Sequence, residues 1–98
     1  MHLYQVIKRP VVTERTRYMA LELGHCTFEV ARAATKAQIK QAVESIYGVR
    51  VTAVNVMNMP AKTAKRWGRR RVMRQPVWKK AIVTLAPGDS IPVFEGGG

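Results

Sequence analysis

Between Pro60 and Lys80 the chain places nine cations, Lys62, Lys65, Arg66, Arg69, Arg70, Arg71, Arg74, Lys79 and Lys80, and from Ser45 to Gly88 it contains no Asp or Glu. Like charges this close repel one another and oppose folding unless a partner of opposite sign compensates them. Such a segment has to stand off the folded body, and the core has to be built from what flanks it. Trp67 and Gly68 sit among the cations, a mixture that suits a loop touching backbone phosphates while an aromatic face finds a base. The segment points to nucleic acid.

Ninety-eight residues make one small domain, 1–98, too short for a second core. The net charge of +11 and the pI near 10.7 favour RNA, DNA or an anionic surface as partner. With 47% apolar residues the chain is not a disordered basic tail. Cys26 is the only cysteine, which excludes an internal disulfide and a thiolate zinc cluster built from this chain, and a reducing compartment is the simpler reading. No apolar run approaches the roughly 20 residues of a membrane span, and MHLYQVIKRP lacks the apolar block of a signal peptide. A soluble cytoplasmic protein is expected.

The elements follow from period and punctuation. Leu3 to Val12 mixes β-branched residues with Pro10 and predicts a short strand or turn. Thr13 can cap a helix over about Thr13 to Leu21, with Glu14 in its first turn and Gly24 as its stop. His25 to Arg32 alternates Cys26, Phe28 and Val30 against Thr27, Glu29 and Ala31, the period of a half-buried strand. Thr35 followed by Gln38 forms a capping box, after which Ile39, Ala42, Val43, Ile46 and Tyr47 fall at helical spacing until Gly48; Lys36, Lys40 and Glu44 lie off that stripe. Val49 to Met59 predicts a long strand whose apolar parity shifts between Ala53 and Val54, the mark of a bulge or of burial on both faces. Val77 to Leu85 predicts a second strand, with Val77, Ala81, Val83 and Leu85 on one face. The two form a hairpin joined by the basic extension 60–76, long for a structureless loop unless it has a function. Pro87-Gly88 makes a turn, Ile91 to Phe94 is expected as a short edge strand, and the tail 95–98 is expected to be flexible. The order gives an α+β fold: a small, mostly antiparallel sheet with helices packed on it and a long basic β-hairpin loop.

A Lys/Arg run is more often a solvated face than a site. Here density, the absence of acids and the projecting loop favour a site, where Arg can fork to two phosphate oxygens. Trp67, in the loop, suits stacking on a base or plugging an RNA groove, whereas Trp78, at a strand start, favours a structural role. Met57, Met59 and Met73 flank the loop, and for the first two ordinary packing is expected. Enzyme readings find little support. His25 and Cys26 are adjacent and point to opposite faces of a strand, which excludes a direct nucleophile and base pair. The acids are scattered, the histidines are not spaced for a metal, and Ala33-Ala34-Thr35 lacks the glycines of a phosphate loop, so no catalytic, cofactor or metal residue is expected.

Pro10-Val11-Val12-Thr13-Glu14-Arg15, Ala34-Thr35-Lys36 with Ile39 and Ala42-Val43-Glu44, Val54-Asn55, Lys65-Arg66-Trp67-Gly68-Arg69 and Trp78-Lys79-Lys80-Ala81-Ile82-Val83-Thr84-Leu85 stand in an order and spacing that closely resembles the bacterial form of protein number twenty-three of the large ribosomal subunit. The resemblance spans nearly the whole chain. It implies a structural constituent that binds large-subunit rRNA early in assembly, beside the exit of the polypeptide tunnel, with the basic hairpin reaching inward. The implied RNA-contacting residues are Lys8, Arg9, Lys36, Lys40, Lys62, Lys65, Arg66, Trp67, Gly68, Arg69, Arg70, Arg71, Arg74, Trp78, Lys79 and Lys80. Thr13, Glu14 and Arg15 resemble a docking point for trigger factor. Further implied partners are ribosomal protein number twenty-nine, the signal recognition particle and the nascent chain near the hairpin tip. Glu14 also has a sufficient local explanation as a first-turn acid. Two departures stand out: Arg15 replaces the usual lysine, and Val72-Met73 replaces a second glycine common in the loop. The runner-up is a free RNA or single-stranded nucleic-acid binder outside the ribosome, ahead of a membrane-surface or small-enzyme role.

Overall fold

The computed structural model describes residues 3–59 and 78–95. A helical turn α1 (Leu3–Val6) leads into β1 (Ile7–Pro10), followed by α2 (Glu14–Leu23), β2 (His25–Val30), α3 (Lys36–Tyr47), β3 (Val51–Met59), β4 (Trp78–Leu85) and a 3₁₀ turn at Pro92–Phe94. The strands form one antiparallel sheet in the order β1-β2-β4-β3, so the β3–β4 hairpin is joined to the N-terminal half through β4. The α+β expectation and the hairpin pairing hold. The connection Pro60 to Pro76, Val77 and the three terminal glycines lie outside the described residues.

Both long helices start and stop where their local chemistry dictates. Thr13 Oγ1 accepts from the N–H of Thr16 (3.2 Å) while Thr16 Oγ1 accepts from the N–H of Thr13 (2.7 Å), a reciprocal cap made with threonine in place of the usual glutamate. Thr35 and Gln38 make the expected box, with Gln38 Oε1 accepting from the Thr35 N–H at 2.9 Å. Gly24 (φ 71°) and Gly48 (φ 69°) end the helices in the left-handed region that L side chains avoid. Each cap contributes about 1 kcal/mol.

The core lies on one face of the sheet. Cys26, Phe28 and Val30 from β2, with Ala81, Val83 and Leu85 from β4, are buried against Ile39, Ala42 and Val43 of α3. Phe28 is its centre: its ring meets Tyr47 at 5.7 Å and Phe94 edge-on at 5.6 Å and 88°. That second contact explains a correction. Ile91 to Phe94 is not an edge strand; Pro92 lacks the N–H a ladder needs, and a 3₁₀ turn from Ile91 to Glu95 instead brings Ile91 and Phe94 down into the core.

Both edge strands carry a bulge. In β1 two residues advance from Ile7 to Arg9 while β2 advances only from Val30 to Glu29, so Lys8 is the extra residue. In β3, Val51 faces Leu85 and Ala53 faces Thr84, which makes Thr52 the extra residue; its hydroxyl donates to the Thr84 carbonyl at 3.2 Å. The parity shift expected between Ala53 and Val54 is therefore real but begins one residue earlier, and it turns Val54 and Val56 onto the core. Bulges and Lys8 also blunt edges that would otherwise pair with other chains. Thr27 departs from its expected place among exposed residues: it is 1% exposed, in a central strand with Ile82 beside it in register.

Candidate nucleic-acid interface

Side chains alternate across a strand, so the register that buries Phe28, Ala81 and Val83 sends their neighbours to the opposite face. One row crosses all four strands there: Arg9 on β1, Glu29 on β2, Lys80 on β4 and Met57 on β3. Arg9 Nε donates to Glu29 Oε1 at 2.9 Å, and Lys80 is the register partner of Glu29 on β4. With two cations and one acid the row keeps a positive balance. Trp78 pairs with Met59 two residues further along, next to where the basic stretch begins and ends, and Asn55 is exposed two residues the other way. An aromatic ring, two thioethers, an amide and two cations make a surface able to stack on bases and hold phosphates.

Lys79 and Lys80 are divided by the alternation. Lys79 falls on the covered side, where its Nζ donates to the carbonyls of Ala34 (2.7 Å) and Arg32 (3.4 Å) in the loop before α3. It fastens the root of the hairpin to the start of that helix. Of the other expected contacts, Lys8 is an exposed bulge residue, and Lys36 and Lys40 are exposed on the first two turns of α3, on the far side of the sheet from Lys80. Trp78 is half-buried. Lys62, Lys65, Arg66, Trp67, Gly68, Arg69, Arg70, Arg71 and Arg74 lie outside the described residues. The structure brings Arg9, Trp78 and Lys80 to one face and does not join Lys36 and Lys40 to them.

Met57 was expected in ordinary packing and is instead 38% exposed on the open face, because the bulge at Thr52 gives the core side to Val54 and Val56. Its signal in the sequence is the parity of β3 counted from Val54. Asn55 was missed as well and has the same signal. The two acids that border the acid-free stretch are both spent on backbone: Glu44 Oε2 accepts from the Val51 N–H at 2.9 Å and Asp89 Oδ2 from the Arg50 N–H at 2.7 Å. They secure the start of β3.

Thr13, Glu14 and Arg15 are exposed at the head of α2. That helix buries no residue fully and exposes Tyr18 (61%) and Leu21 (57%) one and two turns beyond Glu14. Cys26 is inaccessible, and burial pushes its thiol up to about 11, far from the thiolate a nucleophile needs. Burial, and then the nearby Cys26, also raise the Tyr47 phenol. No group of three or more His, Cys, Asp or Glu able to hold a metal occurs among the described residues, and no helix there is long and apolar enough to cross a membrane.

A small α+β platform with a cationic open face, set at the root of a basic hairpin stretch, defines a polyanion-binding module. The chain belongs to the family described as Ribosomal protein L23, whose model matches residues 5–93. It is 49% identical over 96 residues to the large ribosomal subunit protein uL23 of Roseiflexus castenholzii, covering 98% of this chain and 99% of that one. The uL23 proteins of Thermosynechococcus vestitus (49% over 92 residues, 94% and 89% covered) and Geobacter sulfurreducens (45% over 95 residues, 97% and 99%) are similar along nearly the same span. The family makes the chain a component of the large ribosomal subunit, cytoplasmic within the ribosome, a structural protein and not an enzyme.

Proposed function

We propose that the protein binds large-subunit rRNA early in assembly beside the exit of the polypeptide tunnel, and that it offers a separate protein surface to trigger factor. The hairpin cations from Lys62 to Arg74, with Arg9, Trp78 and Lys80 at its root and Lys8, Lys36 and Lys40 around it, meet the RNA. The observation that carries this reading is the partition of charge. Glu44 and Asp89, the acids nearest the basic stretch in sequence, are engaged by backbone N–H groups at the start of β3, which leaves the stretch to an external polyanion. If about 6 phosphates are engaged, log K falls with log salt at a slope of roughly −4 to −5.

The second surface is the head of α2. Thr13, Glu14 and Arg15 are exposed there, and Tyr18 and Leu21 extend the exposed face with apolar area of the kind that marks protein contacts. The signal recognition particle approaches near this surface, ribosomal protein number twenty-nine contacts the domain, and the nascent chain passes the hairpin tip. Reversing the charge with Glu14→Lys separates the two surfaces: trigger factor affinity for ribosomes is expected to fall at least tenfold while the variant still sediments with the large subunit at high salt. Unchanged chaperone binding removes Glu14 from the site, and loss of the variant from washed subunits removes the RNA reading.

A further inference from the structure

We infer that the open face of the sheet is a binding platform for unpaired RNA nucleotides, with Trp78, Met57 and Met59 receiving bases and Arg9 and Lys80 holding the adjoining phosphates. This rests on the rRNA-binding reading above and goes beyond it by assigning a face and a class of RNA. Three observations meet here. The row lies on the face of the sheet opposite Phe28, Ala81 and Val83, which pack into the core under α3. It carries apolar groups that the core does not use: Met57 is 38% exposed, with Met59 and Trp78 half-buried one row away. Its charge is positive, because Glu29 is ion-paired with Arg9 and the row adds Lys80 without a second acid.

Spacing distinguishes single strands from duplex. Neighbouring strands lie roughly 4.8 Å apart and same-face residues on one strand roughly 7 Å apart, so the row from Met57 to Arg9 spans roughly 14 Å of shallow, nearly flat surface. A-form duplex shows such a surface its phosphates and the shallow edges of its base pairs, while its base faces stay stacked inside. Unpaired bases can lie flat on Trp78 and on the thioethers, and four-stranded sheets serve unpaired RNA in this way elsewhere. Asn55, exposed in the next row, supplies an amide that donates and accepts at a base edge.

The test uses the full chain with Trp67→Phe, which leaves Trp78 as the sole tryptophan. A short single-stranded oligoribonucleotide is expected to quench Trp78 emission, and the blunt duplex of the same sequence to do so at roughly tenfold higher concentration. Met57→Glu places a negative charge on an exposed position outside the core and is expected to weaken single-strand binding at least tenfold with an unchanged circular dichroism spectrum. Equal quenching by duplex, or full affinity in Met57→Glu, overturns the platform. If an rRNA fragment binds while Trp78 stays silent, the face is covered by something other than RNA and the platform fails, though the ribosomal reading stands. If no rRNA fragment binds, both fail.

Discussion

The two faces of the sheet are made from the same four strands and carry opposite chemistry. On the covered face Phe28, Val30, Ala81 and Val83 are at most 1% exposed and pack on α3 and Phe94; on the other, Arg9, Met57 and Lys80 stand in one row. The sequence of β4 states the division in two adjacent residues. Lys79 turns inward to carbonyls and becomes part of the fold, and Lys80 turns outward and stays available. Charge density alone therefore does not identify an RNA ligand: the parity of a strand assigns one lysine to architecture and leaves its neighbour on the other face.

The largest expected effect is on the covered face. Phe28→Ala removes a ring held between Tyr47 and Phe94, and chemical denaturation should show a loss of about 3–5 kcal/mol. A loss under about 1 kcal/mol would mean that the covered face is not the core. Next come the paired lysines. Lys79→Met leaves the carbonyls of Ala34 and Arg32 without their charged donor and should cost about 1–2 kcal/mol of stability, with little change in the salt slope of RNA binding. Lys80→Met should do the reverse, staying within about 0.5 kcal/mol of the parent stability and lowering the slope by about 0.7. If both variants change the slope alike, the inward and outward division is wrong.

At neutral pH the smallest effect concerns Cys26. Its thiol rises from an ordinary value near 9 to about 11 on folding, so above pH 9 the unfolded chain gives up a proton that the native chain keeps. The unfolded state then binds fewer protons, and stability falls as pH rises from 9 to 11, with no contribution below that window. A Cys26→Ala variant should show a shallower alkaline slope, the remainder coming from the raised Tyr47 phenol. A parent protein whose stability is flat over the window would show that the thiol is not desolvated.

Much of the fold was legible because its signals are local. Thr13 and Thr35 before helical runs, Gly24 and Gly48 after them, and the alternation Cys26, Phe28, Val30 are each decided by energies among residues a few positions apart, and the structure places those boundaries within two residues of expectation. The local signal failed where a distant contact outweighed it. Ile91 to Phe94 has strand-forming residues, yet Phe94 has its partner in Phe28, far away in the chain, and reaching that ring takes a turn. Met57 was expected to pack, and the bulge at Thr52 turned it outward.

Propensity, capping and turn chemistry act along the chain, so the elements, their caps and the pairing of the strands that flank the cationic stretch were readable from the residues alone. The tertiary structure decided the strand order β1-β2-β4-β3, the tie from Lys79 to the loop before α3, and the meeting of Arg9, Glu29, Lys80 and Met57 in one row. Those relations join residues about 20 to 50 positions apart, and each depends on a register that a single bulged residue shifts from one face of the sheet to the other.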